Sequence, residues 1–279
     1  MKPIHIGNVH EIYDISSEHF VIVKTDRISA CGSLLPIQIK NKGKILNTIS
    51  NFWFNKTKNI VINHLVDDKI ENMPDFFQNE SFKDRSIIVE KLDILPFEFI
   101  VRGYMFGRMW KAYKKGDGLC GNILSGDYKL AQKLKVPIIT PTTKCGGHDE
   151  NVDIKFVESH IGIELTKQII EVCLNLYEEC SKYALSKGLI IADTKLEFGL
   201  NRQKQLVLAD EIFTPDSSRF WDISDYEIGI SPKSYDKQLI RDWLLNNKIN
   251  DKFQFDKIPK NIVIQTEQIY NECLIKLVN

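Results

Sequence analysis

The sequence predicts an α+β protein of two lobes: a smaller antiparallel-sheet lobe at the amino end, then a larger lobe mixing helices and strands. Three observations predict it. Apolar runs at 4–15 and 20–25, joined by the polar turn 16–19, read as an opening hairpin. A second hairpin pairs 188–200 with 206–213 across the short polar linker 201–205. Between them, Ile161, Leu165, Ile169, Val172, Leu176 and Tyr183 recur at helical spacing, so 157–187 reads as one long helix stopped at Gly188. Separate sheet-rich and helix-rich stretches of this kind pack as layers around a shared core.

The remaining elements follow in order. Gly7 precedes the first strand, where a glycine lets backbone approach phosphate groups as well as simply turn the chain. Ile45, Ile49, Phe52 and Trp53 give the apolar stripe of a helix over 43–57. Residues 86–92 and 96–103 read as strands. In the second, Phe97, Phe99 and Val101 face one way, and Glu98, Ile100 and Arg102 the other. Met105 to Lys115 is helical up to Gly116, and the glycine-rich stretch 116–126 is a loop. Residues 140–150 read as a turn-rich loop carrying Lys144, His148, Asp149 and Glu150, a density of reactive groups typical of binding loops and of ordinary surface loops alike. A turn over 214–222 presents Arg219, and helices over 234–243 and 259–278 close the chain.

Length and composition exclude several classes. The 279 residues suffice for one large or two closely packed domains. Lys plus Arg equals Asp plus Glu at 37 each, so no bulk field draws in nucleic acid or an anionic membrane, and any anion must be held by local groups. The amino terminus lacks a signal-like apolar run, and no stretch approaches the roughly 20 apolar residues that span a bilayer. The six cysteines form no C-x-x-C pair, which argues against a zinc site or disulfide framework. Together these predict a cytoplasmic protein.

The second hairpin carries the chemistry. Alternation puts Asp193, Lys195 and Glu197 on one face of the strand, and folding back sets Glu197 roughly opposite Asp210. Like charges facing each other about 5 Å apart destabilise a sheet unless something positive lies between. Mg²⁺, which takes one or two carboxylates plus phosphate oxygens, answers that need at Glu197 and Asp210. The bland alternative is a solvated, weakly repelling face. Arg102, at a strand end before Gly103, is a candidate anion clamp or a plain surface ion pair.

Motifs across nearly the whole chain resemble the phosphoribosylaminoimidazole-succinocarboxamide synthase (SAICAR synthetase) family: 193–199, 216–222, 98–104, 140–144 with 148–150, and 235–243. The resemblance implies a SAICAR-synthetase-like two-lobed fold with ATP in the cleft. Residues 1–92 would form the ATP-binding lobe, and 93–279 the lobe carrying the metal and acceptor sites. It implies an ATP-dependent ligase of de novo purine biosynthesis, joining L-aspartate to carboxyaminoimidazole ribonucleotide (CAIR) through an acyl phosphate. Asp193, Lys195, Glu197, Asp210 and Lys144 would be catalytic. Gly7 and Val9 would cover ATP, and Val89, Lys91 and Leu92 would belong to the hinge that reads adenine. Arg102, Arg108, Ser218, Arg219 and Arg241 would bind the acceptor nucleotide. The partners implied are small molecules, with no nucleic acid or membrane, and a homodimer is one expected assembly because the family includes dimers.

The chain departs from the family pattern at Asn8 and His10, where the flap usually carries basic residues, at Gly32, which replaces a carboxylate, and at Arg108, which replaces a serine. Those departures bear on the acceptor and the amine. A paralogous ligase with another heteroaromatic carboxylate or amino acid, and a non-catalytic nucleotide-binding paralogue, therefore stay open at this stage.

Overall fold

The structure, a computed structural model, describes residues 1–144 and 150–278; His148 and Asp149 of the reactive loop lie outside the described residues. The small sheet is built from β1 (His5–Ile6), β2 (His10–Asp14) and β3 (His19–Lys24). A separate hairpin, β4 (Arg27–Ala30) and β5 (Ser33–Gln38), turns through Cys31 and Gly32, both at positive φ. Two residues of left-handed backbone are what a tight hairpin with the natural strand twist requires, so Gly32 serves the turn. Helix α1 (Lys42–Thr57) follows, then β6 (Leu65–Asp67) and β7 (Ser86–Glu90), which complete the small sheet in the order β1-β2-β3-β7-β6.

The large sheet begins with β8 (Asp93–Tyr104). After α2 (Gly107–Lys115) comes β9 (Lys133–Thr143), then α3 (Ile154–Ile161), α4 (Ile163–Ser186), β10 (Leu189–Leu200), β11 (Leu206–Ala209) and β12 (Ser218–Asp222). Helices α5 (Gln238–Asn246) and α6 (Lys260–Val278) close the chain. The order is β11-β10-β8-β9, and β12 shares with β11 the second edge of β10, all antiparallel. Every residue of β10 except Lys195 and Leu200 is buried, so the strand runs through the middle of the protein.

The main core joins α1 to the large sheet, while the small sheet packs Tyr13, Val21, Val23 and Ile88 against Met73 and Phe77 in a cluster of its own. Ile45, Ile49, Trp53 and Phe54 of α1 pack with Phe97 and Phe99 of β8, Leu196 and Phe198 of β10, and Ile169, Cys173 and Leu176 of α4. Cys173 and Cys180 are buried small hydrophobes, as their helical spacing suggests. The Trp53 indole donates to Phe213 O at 3.1 Å, tying α1 to the segment after β11. Gly103 lies against the Tyr177 hydroxyl, where no Cβ would fit, and that hydroxyl donates to Ile191 O at 2.5 Å.

Several sequence expectations need correction. The long helix is two helices, because Gly162 (φ +88°) turns the chain between α3 and α4, a conformation disfavoured for residues with a Cβ. Thr140–Thr143 belongs to β9 rather than to a loop: threonine suits a pleated surface, and Pro141 is tolerated because β9 is an edge strand. Ser218–Asp222 is likewise a strand. The second hairpin ends earlier than its apolar content suggests: Ala209 closes β11, and Asp210 takes a left-handed φ of 61°. The residue facing Glu197 is therefore Ala209, and Asp210 lies one position further on.

Candidate active site

Register brings the predicted acceptor-site residues together. Pairing of β8 with β10 sets Arg102 opposite Asp193, and pairing of β12 with β10 sets Arg219 opposite the same residue. Arg102 donates through Nη1 to Asp193 Oδ2 at 3.3 Å and through Nε to Thr140 Oγ1 at 2.9 Å. Arg219 pairs with the same carboxylate oxygen, lies 5.6 Å from the Phe106 ring, and buries an Nε with no acceptor. With Arg108 and Arg241 these side chains line a cavity of about 280 Å³. Arg241 is held by Asp236 at 2.8 Å, and Arg108 reaches Asn151 at 3.5 Å.

Burial pushes the Arg102 pKa down, whereas Asp193 raises that of Arg219. Two guanidiniums share the Asp193 carboxylate and Arg241 has Asp236, while Arg108 meets only an amide, so the four arginines leave net positive charge, and the fork geometry of arginine matches phosphate oxygens. Ser218 does not line this cavity. Its hydroxyl donates to Thr194 Oγ1 at 2.8 Å, while Ser217, the neighbouring hydroxyl of the same motif to which the sequence assigned no role, lines it instead.

Along the same strand lies the acidic centre. Lys195 Nζ donates to Glu98 Oε1 at 2.8 Å, is bonded to Glu197 Oε1, and stands 3.6 Å from Asp210 Oδ2. Lys144 bonds the other Glu197 oxygen. Lys24, from the small sheet, stands 3.4 Å from Asp210 Oδ1 and 3.7 Å from Glu211 Oε2. Glu197 and Asp210 thus face a common ammonium despite the one-residue register difference.

Burial, and then Asp210, push the Glu197 pKa up against the pull of Lys195 and Lys144. For Asp210 burial pushes up too, but Lys24 and Lys195 win and hold it well below the ordinary carboxylate range. One acid of the pair is held firmly ionised while the other resists a second negative charge. Glu211 Oε2, buried, has no hydrogen-bond donor. Four carboxylates (Glu98, Glu197, Asp210, Glu211) thus face three ammoniums (Lys24, Lys144, Lys195).

An oxygen-only donor set with surplus negative charge fits a hard divalent cation. Among the described residues no three His, Cys, Asp or Glu groups converge as a metal cage, so ligand or water oxygens would have to complete the shell.

The predicted nucleotide cover lies on the small sheet. Arg27, which sequence reading did not single out, holds its shape: Nη2 donates to Gly7 O (3.0 Å) and His10 O (3.3 Å), Nε to Asn8 O (3.1 Å), and Nη1 to Glu11 (3.0 Å). Val9 O accepts from Thr25 N–H at 2.9 Å. Burial, aided by Lys24, depresses the His10 pKa to about 4, so this flap residue is neutral near pH 7. In the hinge, Val89 pairs on both sides with Phe20 and Leu65. The Glu90 N–H donates to His64 O and the Lys91 N–H to Glu18 O, while Lys91 Nζ pairs with Asp14 at 2.8 Å. Leu92 is half-buried against Gly199 of β10.

Sequence reasoning also passed over a buried network behind the cavity: Lys42, fully enclosed, lies 2.7 Å from Asp216, which Tyr270 and Lys237 also approach. A lysine at a helix start is an ordinary surface residue by pattern, so only packing reveals it. Lys24 had a faint signal, being a single charge that closes the apolar run 20–23.

A cavity walled by arginines beside a lysine-braced acidic centre, under a flap fixed through its backbone, defines an enzyme acting on phosphorylated small molecules. Comparison with known proteins resolves the class. The SAICAR synthetase family profile matches residues 3–257. The phosphoribosylaminoimidazole-succinocarboxamide synthase of Thioalkalivibrio sulfidiphilus is 44% identical, with 98% of this chain and 94% of the relative covered. That of Lachnospira eligens is 43% identical, with 96% and 92% covered. The SAICAR synthase of Saccharomyces cerevisiae, solved with SAICAR, superposes with a TM-score of 0.89 at 38% identity, covering 99% and 94% of the two chains. The chain belongs to the SAICAR synthetase family.

Proposed function

We infer that this protein is an ATP-dependent carbon–nitrogen ligase of purine biosynthesis, joining L-aspartate to the carboxylate of CAIR to give SAICAR, ADP and phosphate. Family membership along the chain supports the activity. The observation that carries the site assignment is the continuity of one strand, β10, whose Asp193 serves the arginine cavity and whose Lys195 and Glu197 serve the acidic centre. An acceptor with its phosphate among the arginines would therefore extend toward Glu197 and Asp210.

The chemistry needs two displacements. A carboxylate oxygen of the acceptor attacks the terminal phosphorus of ATP, and the bond to ADP breaks. The aspartate amine then attacks the acyl carbon, phosphate leaves, and the nitrogen loses a proton. Positioning and charge neutralisation dominate such steps. Glu197 and Asp210 would hold Mg²⁺, which when bound neutralises the nucleotide phosphates and the acceptor carboxylate. Lys195 keeps those two acids close together. Lys144, tethered to Glu197, supplies positive charge where the phosphoryl group passes. Arg102, Arg219, Arg108 and Arg241 clamp the acceptor phosphate, with Ser217 at its margin and Ser218 holding Thr194 behind it.

Residues 1–92 act as the ATP-binding lobe: Gly7 and Val9 cover the nucleotide, and Val89, Lys91 and Leu92 line its base. There, adenine would meet hinge groups other than the bonded amides of Glu90 and Lys91. Residues 93–279 carry the metal and acceptor sites. A cytoplasmic setting is supported by the free thiols of Cys31, Cys120, Cys173, Cys180 and Cys273, which suit a reducing compartment. No helix among the described residues is long and apolar enough to cross a membrane. A homodimer is the assembly the family resemblance suggests; light scattering measures it, and a monomeric mass would remove it. The deciding experiment is ADP release with CAIR and each amino acid in turn: turnover with aspartate alone is expected, and turnover only with another amine would overturn the substrate assignment.

A further inference from the structure

The Asp210 carboxylate is divided between two ammoniums from different parts of the protein. Lys195, on β10, approaches Oδ2 at 3.6 Å, and Lys24, at the end of β3, approaches Oδ1 at 3.4 Å. Both separations exceed the 2.7–2.9 Å typical of a tight charge-assisted hydrogen bond. Lys24 is buried, yet it reaches from the flap's own sheet to a loop of the large lobe. Glu211, at 3.7 Å, gives it a second anchor. Directly across the strand pair from Lys24 is His10, and the flap residues 7–10 contain no lysine or arginine. A nucleoside di- or triphosphate lying beneath this flap would receive no positive charge from it. Arg27 is engaged by the flap carbonyls and Glu11, which leaves Lys24 as the cation at the flap's base that faces the acidic centre.

We propose that Lys24 is a counter-ion that changes partners: it neutralises Asp210 in the free enzyme and pairs with the terminal phosphates of the bound nucleotide, leaving the carboxylate to the divalent ion. Glu211 keeps the ammonium within reach during the exchange. This inference rests on the nucleotide reading of the cleft, and it assigns to Lys24 a phosphate-binding role that family membership alone does not supply.

The exchange has a consequence of opposite sign for two ligands. An ammonium resting on Asp210 competes with a free cation but assists an anion. In Lys24→Met, Mn²⁺ alone, followed by electron paramagnetic resonance, should bind severalfold more tightly. ADP in the presence of chelator, followed by calorimetry, should bind about tenfold more weakly, the loss of one charge-assisted contact. Lys24→Arg should restore most of the ADP affinity. A lysine that merely ties the lobes together predicts weaker binding of both ligands and a lower melting temperature, and that pattern, or unchanged binding of both, overturns the proposal. Failure of the unmodified chain to bind ADP with Mg²⁺ would remove the nucleotide reading itself, and this inference with it.

Discussion

The arginine cavity and the proposed nucleotide cover would hold anionic parts of their ligands by opposite means. The cavity sets charged side chains on three hydrogen-bonded strands, β8, β10 and β12, with Arg102, Asp193 and Arg219 locked in register. The cover offers mainly backbone around Gly7–His10, shaped from behind by a single arginine, and its one histidine is neutral. Rigid strands fix geometry closely, whereas a backbone loop can close over a ligand and reopen. On the proposed function, the side that would discriminate an acceptor is therefore stiff and charged, and the side that would admit and release a nucleotide is held by replaceable contacts. That contrast predicts that damage to the large-lobe strands costs turnover, while damage to the cover costs chiefly nucleotide affinity.

The largest effect is expected at the acidic centre. Glu197→Gln removes one of two carboxylates proposed for the metal, and should lower ADP release with CAIR and aspartate by about 10³-fold or more at saturating Mg²⁺. The fold should survive, since the variant loses a charge from a crowded acidic site; circular dichroism checks this. Turnover at the unmodified rate would remove Glu197 from the machinery. Next comes the cavity: Arg219→Met should raise KM for the acceptor nucleotide by about 10- to 100-fold, with Arg219→Lys intermediate because a point charge replaces a fork. A change confined to KM for ATP would reverse the contrast drawn between the two regions.

These two regions were not equally legible in the sequence. Asp193, Lys195 and Glu197 announce themselves, because three ionisable groups alternating along an apolar strand demand partners, and Arg102 shares a strand face with Glu98. The partners themselves come from register, which a one-residue shift alters: Asp210 meets Lys195 only because its backbone turns left-handed just after β11. The linker 201–205 has the length and polarity of a hairpin turn, but neither property says where pairing stops. Ser218 and Ser217 differ by one position, and only strand pairing decides which faces the cavity. The cover was harder to read, since Arg27 and Lys24 act across sequence-distant contacts that periodicity does not encode. The break at Gly162 escaped because the apolar spacing continues through it, while the backbone does not.

A smaller effect follows at Arg27. It lies behind the flap and bonds three of its carbonyls, so it shapes the cover without belonging to the acceptor cavity. Arg27→Met should raise KM for ATP by roughly three- to tenfold, the loss of a few partly exposed hydrogen bonds, with kcat and the KM for CAIR nearly unchanged. Loss of kcat instead would show that the cover also aligns the reacting atoms, and would weaken the division between a stiff side and a closing side.

The seam between the two regions gives the last and smallest effect, one of stability. His64 N–H donates to Leu208 O at 3.0 Å and His64 O accepts from Glu90 at 2.9 Å, so one residue joins the hinge strand to β11. Its ring packs at 5.3 Å from Phe54, and its Nε2 is enclosed without a hydrogen-bond partner. Burial, reinforced by Lys24 and opposed by Asp210, lowers its pKa from 6.5 to about 4. The unfolded chain therefore binds a proton that the folded chain refuses between those two values. Stability falls as pH drops from about 6.5 towards 4, and is fully retained above that window. For His64 alone the loss between pH 7 and pH 5 is about 2 kcal/mol, or roughly 5 °C in melting temperature for a chain of this size. His10, lowered by burial to about 4 as well, contributes with the same sign in the same window. Because Glu197 and Glu211 also titrate upward of their usual range, the informative measurement is a difference: His64→Phe should melt less steeply with falling pH than the unmodified protein. Parallel curves for the two proteins would mean that the seam is not where acid acts, and that the lobes separate elsewhere first.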